Sequence, residues 1–324
     1  MTLFEEERPK TRVQWVLGNQ CNYHCSYCHE MFHKGTKHFP SEDLIAEVCK
    51  DITYHFDDLG RDVVFEFIGG EPTIGGDVKK IAMRLHNHPM NMVLKTNGSA
   101  SLEWWEESKK YLTDVVISAH KEYCNLDHID AVISLLLNND DFHPVNVKLL
   151  IPATNDPRHW RWAISTRNRF QKKYNLGEIQ LLFSNFTKGS DMYLPYTHKQ
   201  WNQYFQLQNS SVLIEEEKET DANGLPIIPK PEVPVLRQDI ETEIYDPKFN
   251  IFQRGNLNYE GYKCYAGIDT FVIDYNGKVW RGWCSQGGPI GSIYELPIEF
   301  PTDPIVCGTS ICSNSFDHIA RKER

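Results

Sequence analysis

The sequence lacks an apolar run long enough to cross a lipid bilayer. Its longest apolar stretches, such as residues 131–137, fall far short of the ~20 residues that a membrane-spanning helix needs. The N-terminal segment MTLFEEERPK carries three consecutive glutamates and has no apolar region of the kind found in secretory signals. We therefore expect a cytoplasmic protein with no membrane partner.

A basic excess is also missing. The chain has 34 Lys and Arg residues against 44 Asp and Glu residues, and its formal net charge is −10. Because binding to nucleic acid depends largely on neutralising phosphates, such a chain would need a local basic patch to act on DNA or RNA. No such patch stands out, so a nucleic-acid partner is not expected.

Cysteine, in contrast, is well represented. Nine cysteines in a reducing compartment argue against a disulfide framework and for metal binding or redox chemistry. The 324 residues, of which 40% are hydrophobic and 24% charged, suffice for one large domain or two and exclude a wholly disordered chain. The positions of the cysteines are therefore the first guide to function.

Apolar, β-branched segments alternate with helical segments up to about residue 190, a pattern typical of parallel strands with crossover helices. Ser41 and Pro157 suit the first positions of two of these helices. The predicted strands are residues 13–17, 63–68, 92–94, 115–118, 145–151 and 178–183, and the predicted helices are residues 41–57, 77–86, 102–111, 126–137 and 157–174. Six such units predict the α/β class and a partial (β/α)6 TIM-like barrel, in which function gathers at the carboxyl ends of the strands.

The pattern changes after residue 195. Residues 196–255 hold an acidic run at 215–219 and the proline-rich segment GLPIIPKPEVPV, a composition typical of a long connection or lid. From residue 256 the chain becomes β-like, and Asn276-Gly277 between two short apolar segments predicts a hairpin. We therefore divide the chain into a barrel (1–195), a connection (196–255) and a small C-terminal module (256–324).

Three cysteines follow the first predicted strand: Cys21, Cys25 and Cys28, in C-x3-C-x2-C spacing. Three thiolates this close together can hold three corners of a [4Fe–4S] cube and leave one iron open for chemistry. Zinc is the alternative, because His24 or His29 would complete a tetrahedral site. The neighbouring motifs decide between the two.

These motifs resemble those of the radical S-adenosylmethionine (SAM) superfamily. The cysteine spacing, with the aromatic Tyr27 before the last cysteine, is the signature of that family, and the second predicted strand ends in its GGEP motif at residues 69–72. The third predicted strand runs into Thr-Asn-Gly at residues 96–98, which many members share. The resemblance covers roughly residues 12–190 and implies a [4Fe–4S] cluster whose open iron binds SAM.

The resemblance also implies roles for individual residues. In the family, the GGEP strand end binds the amino group of the SAM methionine, and a carboxylate such as that of Glu71 complements an ammonium group. Ser118 and His120 fall where relatives hold the SAM ribose and carboxylate, and Ile151 falls where they pack the adenine ring; a surface histidine and a core isoleucine are the alternatives. The implied cofactor-binding residues are Tyr27, Gly69, Gly70, Glu71, Pro72, Asn97, Ser118, His120 and Ile151.

A second set of cysteines, Cys264, Cys284, Cys307 and Cys312, lies in the C-terminal module. The predicted hairpin stands between the first two, which resembles the SPASM and twitch modules that hold auxiliary clusters in radical SAM enzymes. The spacing after the hairpin is longer than in those modules, and the cysteines of a second auxiliary cluster are missing. We expect one auxiliary [4Fe–4S] cluster in a twitch-like module; a structural zinc site, or a cluster held by only three of these cysteines, is the alternative.

The remaining candidates concern the substrate. Cys49 falls on the apolar face of a predicted helix and is interpreted as a buried small hydrophobe. Cys124, past the fourth strand on the active-site side, is either a hydrogen-atom donor to a substrate radical or a silent loop cysteine. Charged residues inside apolar strands must be paired or reach the barrel rim. The candidate substrate contacts are Glu66, Lys148, Gln180 and Ser184, with structural ion pairing as the alternative for the two charged residues.

Together these features predict a radical SAM enzyme that reductively cleaves SAM to a 5′-deoxyadenosyl radical and takes hydrogen from an unactivated C–H bond. We expect a small-molecule substrate, because only about a dozen residues precede the first strand and leave no room for a domain that binds a leader peptide. The alternatives are a peptide-modifying maturase of the same superfamily and a non-catalytic iron–sulfur or zinc protein. An electron donor such as flavodoxin or ferredoxin is the expected protein partner.

Overall fold

A computed structural model describes residues 8–35, 39–75, 78–86, 88, 90–138, 145–154, 156–174, 179–185, 199–200, 203–204, 258–309, 312, 314 and 316–324. These ranges include both cysteine sets and the strands of the predicted barrel. The predicted connection at residues 196–255 lies almost wholly outside the described residues.

Six parallel strands form the frame of the fold. They lie side by side in chain order, so that each strand pairs with the next one after a helical crossover. The strands are β1 Lys10–Val16, β2 Asp62–Ile68, β3 Asn91–Thr96, β4 Asp114–Ser118, β5 Asn146–Ala153 and β6 Ile179–Asn185. This succession is the repeat of a partial (β/α)6 barrel and confirms the predicted α/β class.

The crossover helices begin where the sequence offers caps. Helix α1 (Glu42–Asp58) follows Ser41, whose hydroxyl accepts a hydrogen bond from Leu44 N, and α6 (Pro157–Lys173) has proline in its first turn. Both predicted helix starts are thereby confirmed. The remaining helices are α2 Pro72–Gly75, α3 Val78–Leu85, α4 Leu102–Ser108 and α5 Leu126–Leu137, with short 3-10 turns at Glu30–Phe32 and Lys109–Tyr111.

The two faces of the parallel sheet differ in chemistry, because residues of a barrel strand alternate between inside and outside. The face that packs against the helices is apolar, and its side chains, such as those of Trp15, Phe65 and Leu149, are fully buried. We call the opposite face the lumen; it carries polar side chains, including Gln14 and Glu66. The apolar face sets the strand register and leaves the lumen free for polar groups.

The C-terminal residues continue the same sheet. Strands β8 (Thr270–Ile273), β9 (Lys278–Trp280) and β10 (Pro289–Ser292) form an antiparallel ribbon, and β8 lies parallel to β1. The hairpin predicted at Asn276-Gly277 is therefore confirmed, and it extends one edge of the barrel. A separate three-stranded sheet has the order β11-β7-β12 and consists of β7 Lys263–Cys264, β11 Ile305–Val306 and β12 Lys322–Glu323.

Cys49 has the predicted structural role. It is fully buried in α1, and burial raises the pKa of its thiol well above the ordinary value. Its side chain therefore packs as a small hydrophobe. None of the helices in the described ranges combines the length and the apolar character needed to cross a membrane.

The β8–β9 turn provides a test of the extended sheet. Gly277 has φ +81°, and a Cβ added there would lie 2.7 Å from the buried Ile293 side chain. We expect Gly277→Ala to lower the free energy of unfolding by about 2–4 kcal/mol, because an unfavourable backbone conformation and a clash combine. Gly60 has φ +70° but open space around it, so Gly60→Ala should cost only about 1 kcal/mol. Equal losses in denaturant unfolding would contradict this account.

Candidate active site

The loop after β1 brings three cysteines to the carboxyl ends of the strands. Cys21, Cys25 and Cys28 line one pocket of about 290 Å³, together with the ends of β2, β3 and β4. The other lining residues are Tyr23, Phe32, Ile68, Gly69, Gly70, Lys95, Thr96, Asn97, Ser118 and His120. The pocket thus unites the cysteine motif with the predicted strand-end motifs, at the end of the barrel where active sites lie.

Two glycines at the end of β2 let this strand press against the chain that leads into the cysteine loop. Gly70 N donates a hydrogen bond to Gly18 O at 3.0 Å, and Glu71 N donates to Gln20 O at 2.7 Å. A Cβ on Gly70 would lie 1.9 Å from Gln20 O and 2.6 Å from Phe32 O. No side chain fits in this space, so the position requires glycine.

Glu71 is a buried carboxylate that joins the ends of β2 and β3. It is 1% exposed and accepts hydrogen bonds from Thr96 Oγ1 at 2.7 Å, Thr73 N at 3.0 Å, Thr73 Oγ1 at 2.8 Å and Asn97 N. Burial raises the pKa of Glu71 above its ordinary value, although the hydrogen bonds oppose this. Its side chain and that of Pro72, which begins α2, do not line the pocket. The structure gives Glu71 a positioning role, because it holds Asn97 at the pocket wall. Its contact with the SAM ammonium group stays a prediction.

Tyr27, within the cysteine loop, is buried and does not line the pocket. Its contact with the cofactor stays a prediction. Its hydroxyl lies 3.1 Å from His120 Nδ1, and its ring centroid lies 5.5 Å from that of His159. Burial lowers the pKa of His120 to about 4, so its imidazole is neutral at pH 7. Glu122 also anchors the cysteine loop, by accepting hydrogen bonds from Ser26 N at 2.8 Å and Ser26 Oγ at 2.5 Å.

The three thiols form a donor set that fits a [4Fe–4S] cluster. Burial raises the pKa of Cys25 to about 12 and that of Cys28 to about 11, and it raises the pKa of Cys21 as well. Two N–H groups point at Cys21 Sγ, from Tyr23 N at 3.3 Å and Asn97 Nδ2 at 3.8 Å. A coordinated metal favours the thiolate form, and hydrogen bonds to the sulfurs tune such clusters. The residues present therefore suit three-point ligation with an open iron.

The structure separates the other predicted cofactor residues into two groups. Asn97, Ser118 and His120 lie on the pocket wall, and their contacts with SAM stay predictions. Ile151 is fully buried in the apolar core on the helix-facing side of β5, as the core alternative expects. Its contact with the adenine ring stays a prediction. Cys124 is half-buried outside the pocket lining, and burial raises the pKa of its thiol to about 11. Its role as a hydrogen donor stays a prediction.

Glu66 is the centre of an ion-pair network in the lumen. Its 5%-exposed carboxylate accepts hydrogen bonds from Lys95 Nζ, from Arg12 Nη1 at 3.2 Å and from Gln14 Nε2 at 3.2 Å. Burial raises the pKa of Glu66, but the charges of Lys95 and Arg12 more than offset this and hold it below the ordinary value. The ion-pairing alternative thus describes Glu66 in this structure.

The other predicted substrate contacts lie on the last two barrel strands. Lys148 is half-buried on β5 and pairs in register with Gln180, which is exposed on β6. Their contact with a substrate stays a prediction. The side chain of Ser184 lies outside the described residues.

The four C-terminal cysteines come together around β7. Cys264 lies in β7, and Cys307 follows β11, the strand that pairs with β7; these two cysteines pack in one small cluster. The thiols of Cys284 and Cys312 interact electrostatically with that of Cys264. Burial raises the pKa of Cys284 above its ordinary value and raises that of Cys312 to about 12. The chain thus gathers four sulfurs from three separate segments.

Trp283 and Asp317 are site residues that sequence reasoning missed. The Asp317 carboxylate, 3% exposed, accepts hydrogen bonds from Trp283 N at 2.9 Å and Cys284 N at 2.8 Å and so holds the Cys284 loop. Trp283 Nε1 donates to Gln14 Oε1 at 2.6 Å, and its ring centroid lies 6.2 Å from that of Phe32. Because Phe32 lines the first pocket, Trp283 links the two cysteine sets. The only sequence signal was a tryptophan next to a candidate ligand.

Neither cysteine set is preformed around a single zinc ion. Within the described ranges, no group of three or more His, Cys, Asp or Glu side chains is gathered closely enough to hold one metal ion. A tetrahedral zinc site requires every sulfur to lie about 2.3 Å from one point.

Comparison with known proteins identifies the class. The sequence profile of the Radical SAM superfamily matches residues 15–121, which run from β1 past β4. A protein named "Probable GTP 3′,8-cyclase" from Thermococcus kodakarensis is 28% identical over 134 residues, or 39% of this chain and 42% of that protein. Its namesake from Pyrobaculum aerophilum is 30% identical over 97 residues, or 30% of each chain. The chain thus spans less than half the length of these curated relatives.

Two solved structures share the fold. One, titled "Native anSMEcpe with bound AdoMet", has a TM-score of 0.54 at 16% identity and covers 89% of this chain and 79% of that one. The other, titled "Crystal structure of Streptococcus suis SuiB bound to S-adenosylmethionine", has a TM-score of 0.50 at 13% identity and covers 89% of this chain and 64% of that one. At these identities the likeness concerns the fold alone.

A partial barrel with a three-cysteine loop at the carboxyl ends of its strands defines a class of iron–sulfur enzymes. The matching family profile and the sequence relatives identify residues 15–121 as a Radical SAM domain and support assignment to that superfamily of enzymes. Members of this superfamily use a [4Fe–4S] cluster and SAM, need a reductant, and act on small-molecule or peptide substrates. The finer assignments for this chain follow as proposals.

The contacts of Glu71 generate a prediction about SAM binding. We expect Glu71→Ala to weaken SAM binding at least about tenfold and to leave the iron content unchanged, because the Thr96 hydroxyl and the Asn97 N–H lose their buried acceptor. Anaerobic calorimetry with SAM and iron analysis measure the two quantities. Glu47→Ala, at an exposed position of α1, is the control and should bind SAM as the wild type does. Unchanged SAM affinity in Glu71→Ala would contradict the positioning role.

Proposed function

We propose that the chain reductively cleaves SAM in this pocket and directs the 5′-deoxyadenosyl radical to an unactivated C–H bond of a small molecule. The supporting observation is that one pocket unites Cys21, Cys25 and Cys28 with the strand-end residues Gly70 and Asn97. When bound, the [4Fe–4S] cluster supplies the electron that breaks the C5′–S bond of SAM. The chain's own residues hold, orient and shield the reactants.

The GGEP strand end would receive the amino group of SAM through its backbone at Gly69 and Gly70. The Glu71 carboxylate is engaged by its four hydrogen bonds, whereas both glycines line the pocket. Glycine also lets the ligand approach the chain closely. Glu71 then affects SAM binding indirectly, because its hydrogen bonds fix the positions of the strand ends.

The remaining pocket wall would orient the rest of SAM. Ser118 offers a hydroxyl and His120 a neutral imidazole, both suited to hydrogen bonds with the ribose or carboxylate. Tyr23 and Phe32 supply aromatic walls that exclude water from the reaction. Asn97 both faces the pocket and donates to Cys21 Sγ, so it couples the SAM site to the cysteine loop.

A small molecule is the favoured substrate class. The two sequence relatives are named for a cyclisation of GTP, which is a small molecule. This similarity supports the small-molecule alternative over a peptide for this chain. The type of reaction, whether oxidation, rearrangement or epimerisation, stays open.

We further propose that Cys264, Cys284, Cys307 and Cys312 hold one auxiliary [4Fe–4S] cluster in a twitch-like module at residues 256–324. The proximity of four sulfurs from separate segments supports this assignment over scattered cysteines. Four cysteines are the usual complement of such a cluster. A one-electron donor such as flavodoxin or ferredoxin, in the cytoplasm, completes the proposal.

The central proposal predicts SAM cleavage. Anaerobically reconstituted protein with dithionite should release 5′-deoxyadenosine slowly without substrate, and the variant with alanine at Cys21, Cys25 and Cys28 should release none, because its ligands for the first cluster are gone. Liquid chromatography of quenched reactions measures the product. Cys49→Ala, which removes a cysteine outside both sets, should retain cleavage. The proposal fails if the wild type produces no 5′-deoxyadenosine.

The auxiliary site predicts the metal content. The wild type should bind about eight irons and the variant with alanine at the first three cysteines about four, since each [4Fe–4S] cluster holds four. Cys284→Ala combined with Cys312→Ala should also leave about four irons, retain 5′-deoxyadenosine release and lose product formation. Stoichiometric zinc in the wild type would reveal the structural zinc alternative, and full product formation in the double variant would exclude a role in turnover.

A further inference from the structure

The lumen beneath the pocket carries a row of cationic side chains. Lys95 on β3 pairs in register with Val116 on β4, Val116 pairs with Lys148 on β5, and Lys148 pairs with Gln180 on β6. Register partners share a face of the sheet, so both lysines point to the lumen, about 10 Å apart at their Cα atoms. Lys95 also lines the pocket, which places the row directly below the SAM site.

The charges of this face do not balance. Arg12 pairs with one carboxylate oxygen of Glu66 and Lys95 pairs with the other, so this single anion faces two cations. None of the ion pairs found among the described residues involves Lys148, which is half-buried. Asp114, at the start of β4, adds a second carboxylate to the face and pairs in register with Asn146. Lys10 and Asp62, which pair in register on the same face, add one further charge of each sign. On the six parallel strands, four lumen cations therefore face three carboxylates.

This excess contrasts with the rest of the chain, whose net charge is −10. A partly buried ammonium group loses hydration, and this cost is recovered when an anion approaches it in a medium of low dielectric constant. On the side of β1, Trp283 Nε1 donates to Gln14, which in turn donates to Glu66 in the network.

We infer that the lumen binds a substrate with an anionic group, a carboxylate or phosphate, which Lys148 and Lys95 receive below the SAM pocket. The inference rests on the proposed function and deepens it, because it names the chemical class of the substrate. The anion would hold one end of the substrate on the lysine row and present the remainder to the site of radical formation. A free acid and a phosphate ester share this chemistry, and SAM itself also carries a carboxylate.

The test uses anion binding to the reconstituted full chain in the presence of SAM. Inorganic tripolyphosphate and citrate serve as the phosphate and carboxylate probes in anaerobic calorimetry. Lys148→Met should weaken binding of the preferred probe at least tenfold, and Lys148→Arg should restore most of it. Lys172→Met, which removes an exposed lysine in the last turn of α6, is the matched control and should change affinity less than twofold. Equal affinities in Lys148→Met and Lys172→Met, or no binding of either probe to the wild type, would overturn the inference.

A second measurement shows whether Lys148 receives a substrate anion or the carboxylate of SAM. If Lys148 held SAM, Lys148→Met would weaken SAM binding and leave the binding of decarboxylated SAM unchanged, and that result would also overturn the inference. The proposed function is judged separately by 5′-deoxyadenosine release from the wild type. If the wild type cleaves SAM but binds neither anion, only this inference is wrong. If it binds an anion through Lys148 but does not cleave SAM, only the proposed function is wrong.

Discussion

The geometry of the pocket depends on one buried carboxylate. Glu71 accepts hydrogen bonds from the threonines that follow β2 and end β3, and from the backbone of Asn97, so it fixes two strand ends relative to each other. The adjacent Gly70 then presses against the segment that precedes Cys21, where no side chain fits. A buried carboxylate without these donors would be costly, so the strand ends and Glu71 stabilise one another. The segment that leads into the cysteine loop is held by backbone hydrogen bonds from Gly70 N and Glu71 N.

The C-terminal module is attached to the barrel by interactions of the same kind. Asp269, 7% exposed, pairs with Arg61 Nη2 at 2.9 Å and with Arg321 Nε at 2.9 Å, and Thr11 Oγ1 donates to Ile268 O at 3.0 Å. These contacts hold β8 beside β1 and bring the chain terminus back to the same point. Because breaking a buried ion pair leaves an uncompensated charge, we expect the C-terminal module to stay attached to the barrel in this arrangement. The nine-stranded sheet thus carries the first cysteine loop and the hairpin before Cys284, whereas Cys264 lies in the separate three-stranded sheet.

The alternation of faces explains how one sheet supports both stability and chemistry. Its helix-facing side chains form a continuous apolar core, which leaves the polar residues of each strand to the lumen. There Glu66 is stabilised by cations from neighbouring strands, and its pKa stays below the ordinary value despite burial. The same alternation assigns Ile151 to the core and Lys148 to the lumen, although both lie on β5.

The sequence by itself determined the α/β class, the six strand–helix units, the three-cysteine loop and the GGEP strand end, because strand alternation, helix caps and motif spacing are local patterns. Tertiary structure alone decided which groups Glu71 and Tyr27 contact, since their partners come from other strands and loops. It also decided that Trp283 reaches Gln14, which is 269 residues away. Contacts between remote segments leave no periodic or compositional trace, so only the packed chain reveals them.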